Sequence, residues 1–108
     1  MVTFTARIAD WTLNPGLRYT WQGDYTAQEY LQSFLLEAVK TALNEGKDIV
    51  IDLDGPRGYA SSFIDEIFGQ LSKNFGLERV LSKVTVKSYD RPWLIEEAKE
   101  AMQDRSHT

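Results

Sequence analysis

The sequence predicts a small α/β domain, with a mixed, partly parallel sheet of about four strands and about three helices. Three observations lead there. The run Asp48 to Leu53 has an unbroken β-branched centre, which suits an inner parallel strand covered on both faces. Ahead of it, from Ala27 to Leu43, apolar residues recur three and four apart, the period of an amphipathic helix. Strand-like and helix-like segments then alternate to the end of the chain, as they do where parallel strands are joined by right-handed helical crossovers.

Each element has its own warrant. Val2, Phe4, Ala6 and Ile8 alternate with Thr3, Thr5 and Arg7, so Val2 to Ile8 reads as a strand with one covered face, at or near an edge. Asn14-Pro15-Gly16 is a turn signal, and Arg18 to Trp21 alternates again before Gly23-Asp24, which predicts a second short strand. The helix spans about Ala27 to Asn44. Thr26 with Glu29 three residues on forms a capping-box pattern at its start, and Gly46 marks its end. After the loop Asp54 to Ala60, Phe63, Ile64, Ile67, Phe68 and Leu71 form the stripe of a further helix, with Ser61 or Ser62 as its cap and Gly76 as its end. Gly69 inside that helix costs about 1 kcal/mol relative to alanine and hints at close packing. Val80 to Tyr89 reads as another strand. The last helix carries Leu94, Ile95, Ala98, Ala101 and Met102, with Asp90 as its cap and Pro92 in its first turn. One domain over 1–104 is expected, with 105–108 as a flexible tail.

Composition narrows the functional classes. The 108 residues are 43% hydrophobic with 12% aromatics, enough for one continuous core and too few for two domains. The net charge of −4, with the basic residues scattered, disfavours nucleic acid and anionic membranes as partners. No cysteine is present, which removes disulfides, thiolate metal sites and thiol nucleophiles. No signal-peptide pattern or bilayer-length apolar run occurs, so a cytoplasmic protein without a membrane partner is expected. The single histidine, His107, lies in the expected tail, leaving no triad and no histidine metal set. Gly55-Pro56-Arg57-Gly58 lacks the Gly-Lys-Ser/Thr of a P-loop, and no cofactor is expected.

Ile49-Val50-Ile51-Asp52-Leu53-Asp54-Gly55, followed by Ser61-Ser62-Phe63-Ile64-Asp65-Glu66-Ile67-Phe68-Gly69, resembles the STAS-like family of uncharacterised bacterial proteins. Pro15 to Arg18 and Gly23 to Tyr30 also look like that family, so the resemblance covers roughly Asn14 to Gly69. More distantly, the chain is similar to the STAS domains of anti-anti-sigma factors. These place a phosphorylatable serine at the start of the helix after the central strand. Their Asp-Ser-Ser-Gly signature falls on Ala60 to Phe63, matching at Ser61 and Ser62 and departing at Ala60 and Phe63. The resemblance implies a STAS-like fold and a non-catalytic regulatory module that binds a protein partner, such as a histidine-kinase-like ATPase.

Several constellations carry two readings. Ser61 and Ser62 are phosphorylation candidates, because a phosphate there meets free backbone N–H groups and the positive end of the helix dipole. As plain N-caps they would contribute about 1 kcal/mol. Asp52-Leu53-Asp54-Gly55 resembles the nucleophile motif of haloacid-dehalogenase phosphatases, a magnesium-dependent alternative built on Asp52 and Asp54. Pro56 stands where that family keeps a hydroxyl residue. Asp65 and Glu66, adjacent on a helix, diverge by about 100° and do not form an acid/base pair. Trp11, Tyr19, Trp21, Tyr25, Tyr59 and Trp93 fall at strand ends and loops, where aromatics either close a small core or form an interface hot spot. Arg57, Tyr59, Ser61, Ser62 and Asp65 are the expected partner-binding residues. A plain scaffold or oligomerisation domain is the remaining alternative, and the oligomeric state stays open.

Overall fold

The computed structural model describes residues 3–106. Among them, three strands form one sheet in the order β1-β2-β3: β1 Thr3–Arg7, β2 Asp48–Asp52 and β3 Val84–Lys87. Five helices accompany them. A single turn, α1, covers Ile8–Trp11, and α2 spans 27–44. Then come α3 Ser61–Phe75, α4 Leu77–Lys83 and α5 Trp93–Ser106. Within α2, a π-helical segment over Leu31–Leu35 separates Ala27–Tyr30 from Leu36–Asn44. Thr26 accepts a hydrogen bond from the Glu29 N–H at 3.2 Å, and Gly46 leaves the helix at φ +71°, so both predicted boundaries of α2 hold.

Both strand pairings are parallel, and their register separates two unlike faces. Phe4, Ile49 and Val84 share one row, and Ala6, Ile51 and Val86 the next. These rows lie beneath the helices, where Ile49 and Ile51 are fully buried together with Phe63, Phe68 and Leu71 of α3 and Ala98 of α5. The helix pair α3 and α5 makes the most extensive packing in the molecule, and Gly69 is buried on α3. The opposite face carries Thr5, Val50 and Thr85 in one row and Arg7, Asp52 and Lys87 in the next. Arg7 Nε and Lys87 Nζ each lie 3.8 Å from Asp52 Oδ2.

The central parallel placement of β2 is as predicted, but its coverage on both faces is not. Val50 is only half-buried, and Thr5 and Thr85 are exposed. The β-branched run reported a buried strand without reporting that only its isoleucines face the core.

The predicted mixed sheet of four strands is a parallel sheet of three. Arg18 to Trp21 is a bend leading into a 3-10 turn at Thr20–Gln22. The Gln22 side chain accepts from the Tyr19 N–H at 2.8 Å and the Arg18 N–H at 3.2 Å, and Tyr19 stacks on Trp21 with ring centroids 5.9 Å apart. Tyr19, Thr20 and Trp21 are exposed while Arg18 turns to Asp65 and Glu66 of α3, and among the described residues no strand pairs with this segment. The predicted strand from Val80 begins only at Val84, because Leu77–Lys83 is helical; Val80, fully buried, faces the core from a helix. The last helix continues through Ser106. Val2, in the first predicted strand, and His107 and Thr108, in the expected tail, lie outside the described residues.

Candidate functional site

The loops that leave the carboxyl ends of the three strands meet at one edge of the sheet, where parallel α/β sheets place their binding crevices. After β2 the backbone is fixed at almost every residue. The Leu53 N–H donates to the Lys87 carbonyl at 2.8 Å, and the Asp54 N–H to Asp52 Oδ1 at 2.9 Å. The Asp54 carboxylate accepts from the Tyr89 N–H at 2.9 Å and the Asp90 N–H at 3.0 Å. Arg91 donates to the Pro56 carbonyl at 3.0 Å and to the Arg57 carbonyl. The Arg57 N–H donates to the Leu13 carbonyl at 3.0 Å, which ties in the segment after α1. Gly55 has φ +111°, and a Cβ there would collide with Ala9 of α1, so the approach requires glycine.

This bracing sets the position of the start of α3. The N-cap is Ala60, whose carbonyl accepts from the Phe63 N–H at 3.0 Å, and no side chain caps the helix. The prediction that Ser61 or Ser62 would serve as the cap is therefore wrong. Ser61 and Ser62 lie one and two positions too late, inside the first turn, with Ser61 exposed and Ser62 half-buried. Arg57 is exposed. Tyr59 is half-buried, its hydroxyl donating to the Leu53 carbonyl at 2.7 Å and its ring 5.7 Å from Phe63. Burial, and then the charge of Asp52, push its phenol well above the ordinary tyrosine range.

Asp65 and Glu66, which diverge along α3, are both met by one guanidinium from outside the helix. Arg18 Nη1 lies 2.7 Å from Asp65 Oδ2 and 3.1 Å from Glu66 Oε1. Burial opposes the charge on Arg18, but hydrogen bonding and attraction from Asp65, then from Glu66, outweigh it and raise the guanidinium pKa. A third group bridging from the 12–26 segment thus unites two side chains whose own helix would hold them apart. On the other side of Asp65, Ser61 shares a hollow of about 150 Å³ with Glu97, Glu100 and Asp104 of α5.

The carboxylates of the phosphatase-like motif are both engaged in the fold. Asp52 is buried, accepts the Asp54 N–H, and is flanked by Arg7 and Lys87. Asp54 is taken up by the two backbone donors after β3. Among the described residues no group of three or more potential metal ligands assembles. Asp90, expected as the cap of the last helix, gives its N–H to Asp54, and Ser88 Oγ accepts from the Arg91 N–H at 3.3 Å.

The bracing residues Arg18, Arg91 and Leu13 carry no sequence signal of their own. Each acts through a partner some 34 to 48 positions away or through a bare backbone group. The aromatics divide as their two readings allow: Trp21 and Tyr89 are about 80% exposed and Trp93 is exposed, whereas Trp11 packs half-buried between Tyr25 and Tyr30.

The comparisons add one finding. A family model described as a STAS-like domain of unknown function (DUF4325) matches residues 32–92, running from within α2 through β2 and β3 to the turn before α5. No curated protein and no solved structure matches the chain. The match takes in β2, the braced loop and the start of α3, which are also the segments that carry the motif resemblance. With more than half of its length covered, the chain belongs to the family of STAS-like domains of unknown function.

Proposed function

We propose that this protein is a regulatory protein-binding module that docks its partner through the Gly55 to Asp65 region, with Ser61 or Ser62 as a phosphorylation switch. The observation that carries this reading is the pairing of a braced loop with two serines that do not cap. Arg91, Asp54 and Tyr59 hold the loop in one shape, which lowers the ordering cost of docking. Since Ala60 is the cap, neither hydroxyl serves a capping role that phosphorylation would disrupt. A phosphate at either position would meet the positive end of α3 and add about two negative charges to the docking face. A histidine-kinase-like ATPase is the partner class that the STAS resemblance suggests.

The magnesium-dependent phosphatase reading has less support, because phosphoryl transfer needs a free carboxylate nucleophile and a second carboxylate for the proton. Here Asp52 is ion-paired and Asp54 holds backbone donors.

The test is intact-mass measurement after incubation with ATP and a histidine-kinase-like ATPase from the same organism, for wild type, Ser61→Ala and Ser62→Ala. One added phosphate that a single alanine variant abolishes, together with weaker ATPase binding by the matching aspartate variant, is the expected result. An unchanged mass and unchanged binding would remove the switch.

A further inference from the structure

The anchorage of Arg18 sets its side chain against the face of α3 that Ser62 occupies. Its backbone is held at both polar groups: the Arg18 N–H donates to Gln22 Oε1 at 3.2 Å, and the Arg18 carbonyl accepts from the Gln28 N–H, at the start of α2, at 2.9 Å. The side chain then crosses to α3, where Nη1 lies 2.7 Å from Asp65 Oδ2 and 3.1 Å from Glu66 Oε1. Successive residues of an α-helix turn by about 100° and rise by about 1.5 Å. The direction of Ser62 about the axis therefore falls between those of Asp65 and Glu66, about one turn nearer the helix start. Side chains lean toward that start, which brings both carboxylates, and the guanidinium that joins them, back toward the Ser62 hydroxyl. Residues at this spacing have Cβ atoms about 5–6 Å apart. Ser61 points elsewhere, into the hollow that it shares with Glu97, Glu100 and Asp104 of α5.

The two ion pairs of Arg18 are unequal in what it costs to break them. The Glu66 side chain is 8% exposed and that of Asp65 35%. Taking the cation from a buried carboxylate is strongly unfavourable, whereas a partly exposed carboxylate regains water in exchange. A phosphate on Ser62 carries about two negative charges, and a guanidinium meets phosphate through two parallel N–H donors. Arg18 therefore gives up Asp65 before Glu66. The other charged groups around this turn are placed differently. Glu97, Glu100 and Asp104 are acidic and lie on the Ser61 side of Asp65. Arg91 is engaged by the Pro56 and Arg57 carbonyls, and Arg57 is exposed in the loop before the helix, whereas Arg18 is already seated on the Ser62 face.

We propose that Arg18 reads a phosphate on Ser62: its guanidinium keeps Glu66, exchanges Asp65 for the phosphate, and so changes the charge that Asp65 presents to a partner. In the unmodified protein Arg18 offsets Asp65, a residue of the docking region. With Ser62 phosphorylated, that offset passes to the phosphate. The inference rests on the serine switch proposed above and names the residue that transmits it.

The test uses the full chain with phosphoserine installed at position 62 during translation, followed by phosphorus NMR across a pH series. A cation beside the phosphate favours its dianion and lowers the second pKa, ordinarily about 6. Arg18→Ala should therefore raise that pKa by about one unit, and Arg18→Lys should raise it less. Should Arg18→Ala fold poorly, the same rise should separate Arg18→Ala with Glu66→Leu from Glu66→Leu alone, since the second change removes the buried carboxylate that Arg18 serves. The exchange itself is read by double-mutant cycles in denaturation. Coupling between Arg18→Ala and Asp65→Asn should vanish once the phosphate is present, while coupling to Glu66→Gln persists. A phosphate pKa indifferent to Arg18→Ala, a rise produced by Arg57→Ala in its place, or a coupling to Asp65 that survives the phosphate would each overturn the proposal. Because no ATPase is needed to install the phosphate, an ATPase that adds none overturns the switch proposed above, whereas a titration indifferent to Arg18 overturns only this readout.

Discussion

Asp54 and Tyr89, 35 residues apart, are joined by two contacts from one backbone N–H to both carboxylate oxygens, at 2.9 and 3.0 Å. With the neighbouring Asp90 N–H, this joins the exit of β2 to the exit of β3. The hydrogen bond from Asp90 and then that from Tyr89 hold the Asp54 carboxyl below its ordinary value of 3.8. Because the folded-state pKa is depressed, this contribution to stability is fully present above the unfolded value. It is lost as pH falls from there through the folded value. Asp54→Asn should flatten the acid limb of stability below about pH 4, read as urea midpoints across a pH series; an acid limb as steep as that of the wild type would contradict the role assigned to this carboxylate.

Glu66 is nearly buried, and its guanidinium partner is Arg18. Arg18→Ala removes this guanidinium from a buried carboxylate and should cost about 2–3 kcal/mol in chemical denaturation, below the range for fully buried pairs because Arg18 is partly exposed. Adding Glu66→Leu should recover most of the loss. A double variant no more stable than Arg18→Ala would show that the pair does not act as a unit.

Arg91 holds the Pro56 and Arg57 carbonyls from outside the loop. Charge-assisted bonds of this kind contribute about 1–2 kcal/mol when partly exposed. Arg91→Ala should therefore raise amide hydrogen exchange across Arg57 to Ser62 while leaving β2 protected. Faster exchange throughout the sheet would mean that the loop and the core unfold together.

Ser61 and Ser62 share a helix dipole but have different neighbours. Ser62→Asp should stabilise the protein by about 0.5 kcal/mol through that dipole. Ser61→Asp should fall short of this, because Asp65, Glu97, Glu100 and Asp104 surround the hollow that it enters. The gap should narrow in high salt, as exposed charges are screened. Equal effects at low salt would show that the acidic hollow does not act on position 61.

What the sequence made legible follows from what local pattern encodes. The 27–44 helix and the centrality of β2 are written in runs of apolar period and β-branching, and both appear where they were expected. The strand at Arg18 to Trp21 failed because alternation describes which way side chains point and not what lies beside them; with no pairing strand, Gln22 gathered the backbone into a turn. Val80 failed for a related reason. Leu77, Val80 and Leu81 have helical spacing, but the alternation of Val84 and Val86 with Thr85 and Lys87 just beyond them masked the change of period. The serine cap missed by one residue, a difference set by how Tyr59 and Arg91 anchor the loop. Those anchors act across more than thirty residues or through a local hydroxyl-to-carbonyl bond, and single-chain periodicity has no means of recording either.

The central claim is that the segment from Gly55 to Asp65 forms the docking face, and hydrogen exchange on the complex measures it most directly. With a histidine-kinase-like ATPase, the proposed partner class, bound, amides from Gly55 to Asp65 should gain protection, and Arg57→Glu should reduce both the protection and the affinity. A stable complex that leaves these amides exchanging at their free rate would contradict the account.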